Sequence, residues 1–340
     1  MSVKRVKITD VATHAGVSVT TVSMVLGNKG RISDATIAKV NQAVEELGYR
    51  RNTAAANLRS SQSNLVGLIL RDISDPYYSE ITAGVAEAVE KHGYMLFLAQ
   101  CGQDSDKLHQ CVQSMLQHDV AGIIFTPVRG RSDEVLETLK LADIPCATIG
   151  RALPEQNINH IGPDNNQAAR VATRHLIERG HRHIAYVGGA SHSLTRAERI
   201  GGYCATLMQY GLPFKQEWII ECAHDPREAK HACATLLQQH PKITAIICHR
   251  PSIAMGALYG VKQSGRNVGK DNYIGQQVAV IGFDDSPEAE LTYPSLTVVK
   301  SDERQIGYRA GEQLLLRMKN PSVSAETVIM PSQLVERESA

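Results

Sequence analysis

Val19, Thr20 and Met24 carry the side chains of this sequence best placed to act by contact with a large partner. They lie within ITDVATHAGVSVTTVSMVL, Ile8 to Leu26, where Val22, Val25 and Leu26 recur at three- and four-residue spacing and claim one face of a helix. Val19, Thr20 and Met24 are left on another face. Ser18 precedes that helix, where its hydroxyl can accept a first-turn N–H. Upstream, Thr9 stands as a cap ahead of the apolar Val11, Ala12 and Ala15, and Gly16 follows as a stop. Two short helices about a glycine-containing turn predict a helix-turn-helix, whose second helix can enter a DNA major groove. A plain helical hairpin at the edge of a larger core has the same spacing, so the pattern alone leaves both readings open.

Other constellations point away from catalysis. YVGGASHS supplies only Gly188 and Gly189, without the GxGxxG or GxxxxGK[ST] spacing that cradles a phosphate. No GxSxG elbow is present, and adjacency of Asp284 and Asp285 in sequence does not make a general acid/base pair. The seven cysteines contain no CxxC and read as reduced core thiols. His181 and His183 flank Arg182 before a strand, which suits a surface edge better than a metal site, and no HExxH occurs. No catalytic residue, metal or cofactor is expected.

The elements that must position these residues follow from length, charge and pattern. A chain of 340 residues, 43% apolar, suits two or three globular units. The net charge of +1 hides an asymmetry: nine Lys or Arg face four acids in residues 1–63, and the remainder is slightly acidic. A basic head on an acidic body confines phosphate attraction to the head. Apolar runs such as LVGLIL are strand-sized, and MSVKRVK passes straight into the helical pattern, so a cytoplasmic protein without membrane contact is expected. After a polar loop, GNKGR, Ser33 can cap a third helix with a stripe of Ile37, Val40, Val44 and Leu47 before Gly48. RRNTAAANLRSSQS, Arg50 to Ser63, reads as a linker whose alanine run, capped by Asn52 or Thr53, is too short to hold a helix alone.

From Leu65 onward apolar strands alternate with amphipathic helices. The strands are predicted at 66–70, 95–99, 122–126, 146–150, 184–187, 245–248 and 278–282, and about nine in all suit two doubly wound parallel-sheet lobes with a cleft between strand C-termini.

Taken in order, ITDVATHAGVSVTTVSMVL, RISDATIAKVNQAVEELGYRRN, AAANLRSSQS, LVGLILRDISDPYYSEITAGVAEAVEKHGY, HLIERGHRHIAYVGG, RIGGYCATL and VAVIGFDDSPEAELTYPSLTVV resemble the LacI/GalR family over essentially the whole chain. The resemblance implies an all-α helix-turn-helix headpiece over residues 1–49, a hinge over 50–63 and a body of periplasmic-binding-protein type over 64–340. Its N-lobe would comprise 64–163 and 296–322, and its C-lobe 164–295 and 323–340. It implies a dimeric repressor on a palindromic operator, controlling carbohydrate-uptake or metabolism genes in response to a sugar, a sugar phosphate or a similar effector. Val19, Thr20 and Met24 would face base edges; Ser18, Thr21, Ser23, Arg31 and Ser33 would hold phosphates. Asn52, Ala55 and Leu58 would occupy the minor groove, with Leu58 as the inserted wedge.

Effector contacts would come from Tyr77, Tyr78, Arg151, Asp164, Arg199, His224, Arg250 and Asp284. Two departures matter. The family commonly has Arg where this chain has Met24, which suits a thymine methyl rather than a guanine edge. Where the family reads Asn-Asp, this chain has Arg250-Pro251, implying an anionic ligand, an altered binding mode or loss of response. Two alternatives stand beside the repressor with an effector: a ligand-independent DNA-binding regulator with a vestigial cleft, and a sugar-converting enzyme. SQLVERESA lacks a leucine heptad, so a dimer is expected rather than a tetramer.

Overall fold

The computed structural model describes residues 6–27, 30–49, 63–153, 157–223, 225–271 and 276–340. Two compact units divide the chain, Met1–Ser63 and Asn64–Ala340.

The first unit holds helices α1 (Ile8–Ala15), α2 (Val19–Leu26) and α3 (Asp34–Leu47). Val11, Ala12, Val22, Val25, Val40 and Ala43 form its small core. Gly16 ends α1 at φ 67°, a left-handed conformation that glycine adopts without a Cβ penalty. Ser18 caps α2, its hydroxyl accepting the Thr21 N–H at 3.1 Å, and Ser33 caps α3 through the Thr36 N–H at 3.4 Å. The start of α1 differs from the expected Thr9 cap. The cap is Lys7 and the helix begins two residues earlier, and the Asp10 carboxylate accepts the Lys7 backbone N–H at 2.7 Å; Thr9 lies inside the first turn, where its carbonyl accepts from the Thr13 hydroxyl.

The second unit alternates strands with helices: β1 (Leu65–Leu70), α4 (Pro76–Glu90), β2 (Met95–Gln100), α5 (Ser105–Gln117), β3 (Gly122–Phe125), α6 (Ser132–Leu141), β4 (Cys146–Ile149), β5 (Asn159–Pro163), α7 (Asn165–Glu178), β6 (Ile184–Val187), α8 (Leu194–Gln209), β7 (Ile219–Ile220), α9 (Pro226–Gln239), β8 (Ala245–Cys248), α10 (Pro251–Gln263), β9 (Asn267–Val268), β10 (Gln277–Phe283), α11 (Pro287–Leu291), β11 (Thr297–Lys300), α12 (Glu303–Lys319), β12 (Thr327–Met330) and β13 (Gln333–Val335). One sheet runs β12-β5-β4-β3-β1-β2, the other β13-β11-β10-β8-β6-β7 with β9 beside β10. Pairing is parallel throughout except for β11 with β13. Helices cover both faces of each sheet, so the inner strands are buried on both sides and read as unbroken apolar runs such as AIIC.

Sheet membership corrects the expected lobe boundaries. Thr297–Lys300 pairs with β10 in the second lobe, whereas 296–322 had been expected in the first; Thr327–Met330 pairs with β5 in the first lobe, whereas 323–340 had been expected in the second. The chain therefore passes between the sheets three times, at 163–165, 300–303 and 330–333. At two of these crossings Ser301 and Ser332 are buried and share a hydroxyl–hydroxyl hydrogen bond of 2.9 Å. Long helices meet through glycines: a Cβ on Gly84 of α4 would lie 1.9 Å from the Arg304 carbonyl oxygen, and one on Gly307 of α12 would lie 2.1 Å from that of Ile81.

Candidate functional site

In the first unit, the Ser18 cap and the apolar stripe of α2 decide which side chains remain free. Val22 and Val25 are buried, Thr20 and Met24 are exposed one turn apart, and Met24 is 36% accessible. Val19 is different. It is half-buried and packs against the headpiece core, so it can offer a partner only part of its surface. Ser18, Arg31 and Ser33 are exposed, with Thr21 and Ser23 half-buried. The two capping hydroxyls also bond Thr21 and Thr36 side chains at 2.9 Å, which fixes both helix starts. Asn52, Ala55 and Leu58 lie outside the described residues.

In the second unit, a cavity opens between the lobes, enclosing about 460 Å³ of space when the solvent at its opening is included. Part of its wall comes from residues at or just past strand ends: Arg71 after β1, Thr126 after β3, Gly150 and Arg151 after β4, and Asp284 after β10. Parallel strands all end on one side, so their successors converge there. Tyr77, Tyr78, Arg151, Arg199, Arg250 and Asp284 all line this space.

Arg199 is the most tightly held of them, only 4% exposed. Its Nε donates to Asn165 Oδ1 at 3.0 Å, Nη1 to the His249 carbonyl at 2.6 Å, and Nη2 to Asp284 Oδ2 at 3.5 Å, while its guanidinium lies 4.2 Å from the Phe283 ring centroid. Asp284 takes φ 63°, a sparsely populated conformation for a non-glycine residue, and burial raises its carboxyl pKa against the lowering pull of Arg199. An arginine and an aspartate held side by side in fixed geometry offer donors and acceptors to vicinal hydroxyls.

Tyr77 and Tyr78 meet edge to face at 5.1 Å; Tyr78 is buried among the first lobe's apolar side chains, while Tyr77 is half-buried. Asp164 is not among the lining side chains: its carboxylate caps α7 through the Gln167 N–H at 2.8 Å, and the next residue, Asn165, faces the cavity instead. His224 lies outside the described residues. Arg250, expected as a cation for the ligand, is ion-paired with Asp75 of the opposite lobe. Sequence reasoning did not pick out Arg71, Thr126, Asn165 or Thr195, although position after a strand would have found the first two.

His181 is not a surface residue. It is buried, with Nδ1 3.0 Å from the Thr244 hydroxyl, and His183 packs on Trp218. No group of three metal-ligating side chains occurs among the described residues, and no described helix is long and apolar enough to cross a membrane.

Comparison with known proteins places both units. Residues 7–52 match the model of bacterial regulatory proteins, lacI family, and residues 63–338 match that of periplasmic binding proteins and the sugar-binding domain of the LacI family. The maltose regulon regulatory protein MalI of Escherichia coli (strain K12) is 41% identical over 335 residues, 98% of each chain. MalI of Vibrio furnissii is 63% identical over 128 residues, 38% of this chain and 93% of that protein. Among solved structures, the lac repressor dimer bound to operator and the anti-inducer ONPF matches with a TM-score of 0.86 at 25% identity, over 99% of both chains. A helix-turn-helix headpiece followed by two parallel α/β lobes, continuous in sequence with regulators of this architecture, makes the chain a member of the LacI family of bacterial regulatory proteins.

Proposed function

We propose that this protein is a cytoplasmic transcriptional repressor that binds a palindromic operator as a homodimer and changes its hold on DNA when a small molecule enters the cleft. The observation that carries the reading is the solvent-facing pair Thr20 and Met24 on a Ser18-capped helix whose opposite face is buried. Such a helix can present those side chains, with the exposed part of Val19, to base edges, while Ser18, Thr21, Ser23, Arg31 and Ser33 hold phosphates. Leu58, with Asn52 and Ala55, would act in the minor groove. The regulated genes are those of carbohydrate uptake or use, by analogy with the maltose regulon named for the MalI relatives.

In the cleft, Arg199, Asp284 and Asn165 take ligand hydroxyls and Tyr77 supplies a ring face. Ligand binding biases the relative position of the lobes, and through that the fraction of dimer able to grip DNA. Selection of randomised duplexes on the full-length protein tests the reading: enrichment of an inverted repeat is expected, and recovery of unenriched sequence would reject it. Sedimentation of the complex checks the stoichiometry, two chains per duplex.

A further inference from the structure

The charges around the cavity do not balance evenly. Four arginines line it: Arg199 is bound to Asp284 and Asn165, and Arg250 to Asp75. Arg71 and Arg151 form no ion pair with a described carboxylate. Among the described residues, Nε of Arg151 is buried without a hydrogen-bond partner, and so is the hydroxyl of Thr126, which is 1% exposed. Both groups belong to the same wall. The charge of Glu198 favours the Arg151 cation, but its carboxylate already accepts the Asn165 amide at 2.9 Å. Burial is the first cause that disfavours the charge on Arg151, and Arg71 and Arg129 disfavour it further, so like charges are gathered here. The start of α8, a helix of 16 residues, adds its N-terminal turn to this end through Ser193, Leu194 and Thr195, and its dipole has the same sign.

We infer that the cleft takes a phosphorylated carbohydrate, its phosphate between Arg71 and Arg151 and its hydroxyls toward Arg199, Asp284 and Asn165. This rests on the effector-binding reading above and names the ligand class. A phosphate monoester brings three terminal oxygens and close to two negative charges at neutral pH, enough acceptors for two guanidiniums, the Thr126 hydroxyl and a helix N-terminus together. A carboxylate has two oxygens and would leave donors unmet. A neutral sugar would leave both arginines uncompensated in a half-buried wall, where a buried donor without an acceptor is costly. The other end of the cavity lacks such excess charge, since its arginine and aspartate are matched, which suits a polyol. The sequence had suggested an anionic ligand from Arg250; the anion's partners are instead Arg71 and Arg151.

Thermal shift and calorimetric titration of the full-length protein test this with hexose and disaccharide phosphates, each beside its unphosphorylated sugar, and with inorganic phosphate. A phosphate ester is expected to raise the melting temperature where its parent sugar does so weakly, with inorganic phosphate competing at higher concentration. Arg71→Gln and Arg151→Gln should each weaken ester binding on the order of tenfold or more, the worth of a charge-assisted hydrogen bond. Because each variant also removes like-charge repulsion, its melting temperature without ligand should be no lower than that of the unaltered protein, so misfolding is distinguishable from lost binding. Equal shifts by ester and parent sugar, equal shifts by ester and inorganic phosphate, no shift by any of them, or unchanged ester affinity in both variants would overturn the inference. Operator binding by the unaltered protein, measured alongside without ligand, separates the two claims. DNA binding with no preference for esters refutes only the ligand class, whereas absence of DNA binding refutes the repressor.

Discussion

Arg250 and Asp75 are ion-paired across the cleft, joining the residue that precedes α10 in one lobe to the residue that caps α4 in the other. The Asp75 carboxylate serves both lobes: Oδ1 accepts the Tyr77 N–H at 3.1 Å and Oδ2 receives the Arg250 guanidinium. Asn keeps the capping oxygen and removes the charge. Asp75→Asn should therefore leave α4 intact, cost about 1–3 kcal/mol by leaving a mostly buried cation without its partner, and open the lobes. Small-angle scattering of the unliganded protein reads this directly; an unchanged radius of gyration would show that the pair does not set the lobe separation.

Ser18 has two separable duties, a helix cap seen in the structure and a proposed phosphate contact. Ser18→Ala should destabilise the headpiece by about 1 kcal/mol. Ser18→Asp should preserve the cap, since a carboxylate accepts the same N–H, yet weaken operator binding by placing a negative charge against the DNA backbone. Headpiece unfolding by NMR and operator affinity by fluorescence anisotropy give the two readouts. Equal operator affinity for Ser18→Asp and the unaltered protein would remove Ser18 from the phosphate contacts.

Met24 and Val19 should behave differently although they flank the same proposed reading face. Met24→Arg exchanges an exposed thioether for a bidentate donor, and should shift preference toward guanine at one position of each half-site by about 1–3 kcal/mol. Val19→Ala should lower headpiece stability together with affinity, because Val19 is partly in the core. A randomised-operator profile unchanged by Met24→Arg would place that side chain off the bases.

Glu303, at the first position of α12, has its pKa pushed up from 4.5 to about 8, chiefly by burial and then by the charge of Asp284. Between those values the native state keeps a proton that the unfolded chain has released, so stability falls as pH rises. The contribution is full below about pH 4.5 and is lost as pH passes through about 8. Glu303→Gln should flatten that slope and melt higher than the unaltered protein at pH 8. Parallel melting curves for the two proteins across the range would assign the slope to another group.

Much of the fold was legible because buried parallel strands write themselves as short apolar runs; Ile184–Val187 and Ala245–Cys248 were placed to the residue. Asn159–Pro163 was missed because NHIGP contains a histidine, a glycine and a proline, and only pairing on both sides makes it a strand. The lobe boundaries failed for a related reason. Thr297–Lys300 and Thr327–Met330 carry no local mark of which sheet they join, a choice made by long-range pairing. In the cleft, Arg199 and Asp284 were reached through resemblance, while Arg71 and Thr126 needed the topology that brings strand ends together. Arg250 was recognised as unusual, but its partner lies 175 residues away and no local pattern could name it.

The hydrogen bond between Ser301 and Ser332 ties two of the three strands of chain that cross between the lobes. It is neutral and buried, whereas the bond at the cleft's mouth, Arg250 with Asp75, is ionic and partly open to solvent. Dissolved salt weakens the second only to the extent that its 20% and 13% exposed side chains admit ions, and leaves the first untouched. The body is thus fastened by two clasps of different chemistry, and ionic strength is a tool that loosens one while the other continues to act as the pivot.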